Sequence, residues 1–248
     1  MPKKPAGKSI DEMVQDILEN VNIGSAITID LPSEGKGYAS FSDSPITLRP
    51  IVWEDEHSLL RAKKTGSINQ INFILDRCLS NIDVQELFRF DKEYIVLKLR
   101  EITMGEEYQT PITCPSCEEE SVVKYSIDKF PINKVPKDFT DPMELVLPRS
   151  KIKCNLYNPR VYHEKYMRSP EDIMDNLWRF IESIGDNDNK EVISKVLKGL
   201  PIVDINHIVT QMHSKKYGVQ TTIKFICAGC RYFEKADLPI GADFFTES

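Results

Sequence analysis

Between Ser9 and Asn22 the apolar residues Ile10, Met13, Val14, Ile17, Leu18 and Val21 recur at steps of three and four, the period of one helix face. Ser9 with Glu12 three residues on forms a capping box, in which each side chain satisfies the other's orphan backbone donor, and Gly24 suits the exit. The next stretch, from Ala26 to Leu60, reads as strand, Gly/Ser/Pro-rich loop, strand and helix. Ile68, Ile71, Ile74, Leu75, Cys78, Leu79 and Ile82 then mark a buried helical stripe, which makes Cys78 a small core hydrophobe. A further helix is expected over residues 91–103, with Asp91 as its cap.

From residue 105 the period changes. The stretches "EYQTPITCPSCEEESVVKYSIDKF" and "GVQTTIKFICAGCRYFEKADLPI" each run strand, turn, strand around a Cys-x-x-Cys pair, as approximate images of one another. Between them, "MELVLPRSKIKCNLYNP" predicts a hairpin turning at Pro148 to Ser150, with Cys154 packed inward. Three helices are expected to follow. The first has Ser169 as N-cap and Pro170 in its first turn, carries Ile173, Met174, Leu177, Trp178, Ile181 and Ile184, and ends at Gly185. The second runs from about Asn189 to Lys198 before Gly199, and the third over roughly 202–216 before Gly218.

The pattern gives an α+β protein: a helical N-terminal part plus a four-cysteine, zinc-ribbon-like β module carrying a long, mainly helical insertion. Its expected divisions are an amphipathic helix and linker over 1–28, a strand-turn-strand and helical region over 29–104, and the β module over 105–248, with the insertion at about 155–217. The 248 residues, 41% hydrophobic and 28% charged, suffice for one sizeable or two modest cores. No run of eighteen apolar residues occurs and the first residues lack a signal-peptide stretch, which predicts no membrane span and folding in a cytosol. A net charge of −6 argues against a general polyanion binder and leaves a local basic patch open.

Composition gives the cysteines their meaning. In a reducing compartment six cysteines are expected to be metal ligands and free core thiols rather than disulfides. Cys114 and Cys117 repeat the spacing of Cys227 and Cys230, and two such knuckles supply the four thiolates that tetrahedral zinc takes. Residues 118–226 lie between the knuckles, far more than the spacer of an uninterrupted ribbon. A closed four-sulfur shell leaves no exchangeable position for water, so the expected metal is structural. Iron uses the same ligand count and geometry and stays open. A redox dithiol wants its first cysteine at a helix N-terminus, whereas both pairs here lie between strands.

Other candidate chemistry is thin. His207 and His213 are six apart, which does not chelate on a helix, and His57 and His163 are expected at the surface or core edge. Glu118 to Glu120 form a solvated acidic edge that would repel phosphates beside the metal. No dinucleotide, phosphate-loop, metalloprotease or nucleophile-elbow motif occurs, and "PSEGKGY" reads as a turn.

The order Leu31, Pro32, Ser33 and Gly35, then Arg49 and Pro50, then Gly105, Tyr108, Cys114, Pro115 and Cys117 resembles the baseplate protein family of T-even-like contractile-tailed bacteriophages. The resemblance covers about 29–130 and the second knuckle, while the inserted helices match in character only. Trp53 and His57 stand where a plainer acidic stretch is expected, and residues 91–103 are more charged than usual. The resemblance implies a non-enzymatic virion or assembly protein in or beside the baseplate hub. It would be present in the tail baseplate, and in host cytoplasm during assembly, with other baseplate or tail proteins as partners and no small-molecule substrate. Ile10, Met13, Ile17 and Val21 are then candidate anchors for a neighbouring subunit in the helix-in-groove manner. The alternative is a zinc-ribbon nucleic-acid-binding or regulatory module, for which Lys224, Arg231, Tyr232 and Lys235 make a thin basic and aromatic face.

Overall fold

The computed structural model describes residues 8–19, 25–39, 44–64, 70–238 and 242–245. Helix α1 (Ile10–Glu19) opens with the capping box: Ser9 N–H donates to Glu12 Oε2 at 2.8 Å and Glu12 N–H to Ser9 Oγ at 3.2 Å. Val21, Gly24 and Ile68 lie outside the described residues. Strands β1 (Ile27–Thr28) and β2 (Thr47–Leu48) pair antiparallel, and helices α2 (Trp53–Lys64) and α3 (Gln70–Cys78) follow. The expected helical stripe stops at Cys78, because Leu79 and Ser80 form β3 (Leu79–Ser80) on the far side of β2. Cys78 is buried as the pattern requires.

Arg49 of the Arg-Pro pair has a structural task. It grips the fully buried Asp55 through two hydrogen bonds of 2.6 and 3.0 Å, while Arg77 of α3 adds a third at 2.7 Å. Burial works against the Asp55 charge, but Arg49, the Val52 N–H and Arg77 outweigh it and hold this carboxyl well below the usual range. The chain after β2 is thereby locked to the end of α3.

Helix α4 (Arg89–Met104) is the central element of the first core. It begins before the expected position, with Phe88 as N-cap, so Asp91 lies inside the first turn and does not cap it. Instead the fully buried Asp91 accepts from Ser33 N–H at 3.0 Å and from the Tyr38 hydroxyl at 2.6 Å, fastening the 32–37 turn to the helix start. Burial pushes its carboxyl up to about 6, and the Ser33 and Tyr38 donors offset only part of that rise. Within the turn Gly37 has φ of +79°, and a Cβ there would lie 2.9 Å from the Phe88 ring.

Hairpin β4 (Glu107–Thr113) and β5 (Glu120–Ser126) follows, then β6 (Ile132–Asn133) and the second hairpin, β7 (Met143–Val146) with β8 (Lys153–Leu156), turning at 148–150 as expected. Helix α5 (Pro170–Asn176) is capped by Ser169, whose Oγ accepts from Asp172 N–H at 3.0 Å. It ends well short of Gly185. Leu177–Phe180 tighten into a 3₁₀ turn and β9 (Ile181–Ile184) becomes the third strand of the β7–β8 sheet. The apolar residues 177, 180, 181 and 184 suit either period, and pairing of Leu156 with Ile181 and Cys154 with Ile184 decides for strand. Helix α6 (Lys190–Gly199) is capped by Asn189, and α7 (Ile202–Met212) stops at Met212, short of the expected 216. Asp204 of α7 accepts from the N–H groups of Arg149 and Ser150 at 2.7 and 2.9 Å, tying that helix to the hairpin turn.

Strand β10 (Gly218–Val219) pairs with β6, and β11 (Thr222–Ile226) with β12 (Phe233–Asp237). Two larger cores result. The first gathers residues from Ile29 to Ile127 together with Val161, Val219, Ile223, Leu238 and Phe244; the second is built wholly from the span 143–212. Arg160 stands between them, donating to Gly37 O, Glu86 O and Asp141 Oδ2 at 2.6, 2.8 and 2.9 Å and lying over the Phe88 ring. His163 is buried rather than at the surface: its Nδ1 accepts from Arg160 N–H at 3.1 Å. Burial, then the charges of Arg160 and Lys165, bring its imidazole down to about 4, so it is neutral at physiological pH.

Candidate metal centre

The hairpins β4–β5 and β11–β12 are each two-stranded sheets, with Cys114–Cys117 and Cys227–Cys230 in their connecting turns. The two turns have the same internal geometry. Cys114 N–H donates to Glu119 O and Glu118 N–H to Cys114 O, both at 2.9 Å; Cys227 N–H donates to Tyr232 O at 2.9 Å and Arg231 N–H to Cys227 O at 3.0 Å. The residue after the second cysteine is left-handed in each, Glu118 at φ 60° and Arg231 at φ 61°. This conformation bends the chain back so that both sulfurs of a turn face one side.

The two turns also face each other. Cys114 Sγ lies 3.6 Å from Cys230 Sγ, Cys117 Sγ lies 3.6 Å from Cys227 Sγ, and all four sulfurs fall within 4.8 Å of one another. A tetrahedron of Zn–S bonds of about 2.3 Å has edges of about 3.8 Å, so the donor set fits such an ion in number, softness and spacing. Cys114 and Cys227 are buried, while Cys117 and Cys230 reach the surface. The Glu119 N–H favours the Cys117 thiolate, but the neighbouring sulfurs of Cys230 and Cys227 prevail and push that thiol up to about 12. At Cys230 the Tyr232 N–H and the Cys117 sulfur act together and bring it down to about 7. Cys230 therefore gives up its proton before Cys117.

Among the described residues these four are the one group of His, Cys, Asp and Glu side chains arranged to hold an ion. Glu118, Glu119 and Glu120 are exposed at the turn, and the Glu119 carboxylate leans across to the other hairpin, where a Cβ on Gly229 would overlap it. That carboxylate is the flexible end of an exposed side chain and can turn aside, so the overlap does not by itself require glycine at 229. Cys78 and Cys154 lie apart in the first and second cores, where burial pushes both thiols up to about 11. On α1, Ile10, Met13 and Ile17 are exposed, Ile10 at 75% and Ile17 at 64%. No helix among the described residues is long and apolar enough to cross a membrane.

Fold and site together define an α+β protein whose two hairpins, remote in sequence, converge on one cluster of four thiols. The chain belongs to the T4 bacteriophage base plate protein family, whose model matches residues 25–246. No curated protein and no solved structure matches it.

Proposed function

We propose that this protein is a non-enzymatic structural or assembly component of a contractile-tail baseplate, in the hub or its immediate surroundings, and that Cys114, Cys117, Cys227 and Cys230 hold one structural zinc ion in a zinc-ribbon-like module. The observation that carries the reading is the convergence of four sulfurs between two hairpins that lack a core of their own. Around the cluster the buried apolar contribution beyond Cys114 and Cys227 is Phe225, with Ile112 and Val123 half-buried against it. Isolated two-stranded hairpins are marginal in water, and a structural zinc contributes roughly 10–16 kcal/mol in finger peptides, ample to hold two of them together. A saturated thiolate shell has no position at which to activate water, so its role is architecture.

Membership of the baseplate family supports other tail proteins as partners. The apolar face of α1, with Ile10, Met13 and Ile17 as anchors and Val21 following in sequence outside the described residues, is the docking element, and the body 29–248 is what it joins to the assembly. Virion tails are the site of action and host cytoplasm the site of assembly. Quantitative mass spectrometry of purified virions and of tail intermediates from infected cells tests this. Presence in both marks a component, presence only in intermediates marks an assembly factor, and absence from both contradicts the proposal. Deleting residues 1–24 should leave metal content and thermal stability nearly unchanged while abolishing entry into tails.

A further inference from the structure

Two exposed surfaces of this chain complement each other. On α1, at about 100° of rotation per residue, Ile10, Met13, Val14, Ile17 and Leu18 cover an arc of about 140° flanked on its two sides by Asp11 and by Asp16, which is ion-paired with Lys8 of the same chain. All five apolar residues are exposed. The outer face of hairpin β11–β12 carries apolar residues beside the opposite charge. Strand alternation turns Ile223 and Phe225 inward and leaves Lys224 and Ile226 outside, with Lys235 directly opposite Lys224 and Phe233 opposite Ile226. Ile226 is 65% and Phe233 51% exposed, and Tyr232 and Arg231 extend the same end of the hairpin.

Like charges directly opposite on a strand pair destabilise it, and a large apolar pair beside them is left in water. Among the described residues neither Lys224 nor Lys235 has a carboxylate partner on this face; Asp237, at its far end, is engaged by Lys215 at 2.6 Å. The face thus carries a lysine pair midway along the strands and an apolar pair next to the turn, and calls for a ligand that is both apolar and acidic. The lengths agree as well: a helix of ten residues spans about 15 Å and strands of five residues about 17 Å.

We infer that α1 of one copy of this protein docks on the outer face of hairpin β11–β12 of a second copy, placing Ile10, Met13 and Ile17 against Ile226 and Phe233 and Asp11 and Asp16 beside Lys224 and Lys235. Reciprocal exchange makes the same contact twice and closes a dimer. The assignment rests on the docking role proposed for α1 and names its acceptor. A nucleic acid fits the face less well, since it brings no aliphatic stripe to cover the exposed Ile226.

The test is sedimentation equilibrium of the full chain with two charge-reversal variants, Asp11→Lys/Asp16→Lys and Lys224→Glu/Lys235→Glu, each checked for unchanged circular dichroism and metal content. Wild type should be dimeric, each variant alone monomeric, and their equimolar mixture dimeric again, because every helix then meets a hairpin of opposite sign. A monomeric wild type, or a variant that dimerises alone as wild type does, overturns the inference. So does a monomeric wild type retained on DNA in a salt-sensitive way that Lys224→Glu/Lys235→Glu abolishes, which assigns the face to nucleic acid. A monomeric wild type whose 1–24 deletion still fails to enter tails leaves α1 as a docking element for a different subunit. Normal entry of the deleted chain removes the docking role itself.

Discussion

Glu118 and Arg231 occupy the same place in two turns far apart in sequence, one residue past the second cysteine, and both are left-handed at φ 60° and 61°. Neither has the glycine that this conformation favours, for which an L-residue sacrifices roughly 1–2 kcal/mol. The loss is tolerated because each N–H is used, Glu118 donating to Cys114 O and Arg231 to Cys227 O. Glu118→Gly and Arg231→Gly should each leave metal content unchanged and be neutral to stabilising by up to about 1 kcal/mol, the relief of strain being partly offset by the greater chain entropy of glycine. Arg231→Val should destabilise by at least about 1 kcal/mol, since a branched Cβ is the worst case at positive φ. Urea midpoints on the three variants check this.

The six cysteines should divide four and two. Cys114→Ser is expected to abolish stoichiometric metal and loosen both hairpins, seen as faster amide exchange in β4–β5 and β11–β12. Cys78→Ser and Cys154→Ser should keep the metal and destabilise the fold by about 1–3 kcal/mol through burial of a hydroxyl. The larger loss is expected at Cys154, because Cys78 Sγ lies 3.9 Å from Asp55 Oδ2, an acceptor a serine can approach. Both buried thiols, pushed up to about 11, should resist alkylation at neutral pH until the protein unfolds.

Removing the Asp55 carboxylate should be costly. It is wholly buried between Arg49 and Arg77, so Asp55→Ala leaves two guanidinium groups without their shared partner and a Val52 N–H without its acceptor. A loss of about 3 kcal/mol is expected, toward the lower end for a broken buried pair because both arginines are a third exposed and regain water. Thermal unfolding of the variant beside wild type measures it.

Two buried groups set opposing pH dependences. Asp91 is raised to about 6 from the ordinary 3.8 of an aspartate, so the folded state holds its proton longer, and stability from this group falls as pH rises from about 4 to about 6. His163 is lowered to about 4 from 6.5, so the unfolded state takes the proton first, and stability falls as pH drops from about 6.5 to about 4. At 1.36 kcal/mol per pH unit each contribution is on the order of 3 kcal/mol, and in wild type they largely cancel between pH 4 and 6. Asp91→Asn should therefore make the protein acid-sensitive across this window, and His163→Gln should make it more stable at pH 4.5 than at pH 6.5. Denaturant midpoints against pH show whether the slopes have these signs.

The four-cysteine cluster was legible because its signal is local twice over: two Cys-x-x-Cys turns, each between alternating strands, and the structure brings the four sulfurs together. The caps at Ser9 and Ser169 were equally local. What failed depends on contacts remote in sequence. Asp91 has the look of a helix cap, and its burial follows from Ser33 and Tyr38, more than fifty residues earlier. Ile181 and Ile184 continue a helical stripe in sequence and become a strand only because β8 offers an open edge. His163 has polar neighbours in sequence and a buried site in space, and the bridging role of Arg160 across Gly37, Glu86 and Asp141 has no sequence pattern at all.

The central claim is a closed four-sulfur metal site, and X-ray absorption on the native protein tests it most directly. The account predicts one zinc per chain with four sulfur neighbours at about 2.3 Å and no oxygen or nitrogen in the shell. An iron edge with the same four sulfurs would keep the site and replace the metal. Protein prepared without chelators that holds no stoichiometric metal, or a metal whose shell mixes sulfur with oxygen or nitrogen, would contradict the claim.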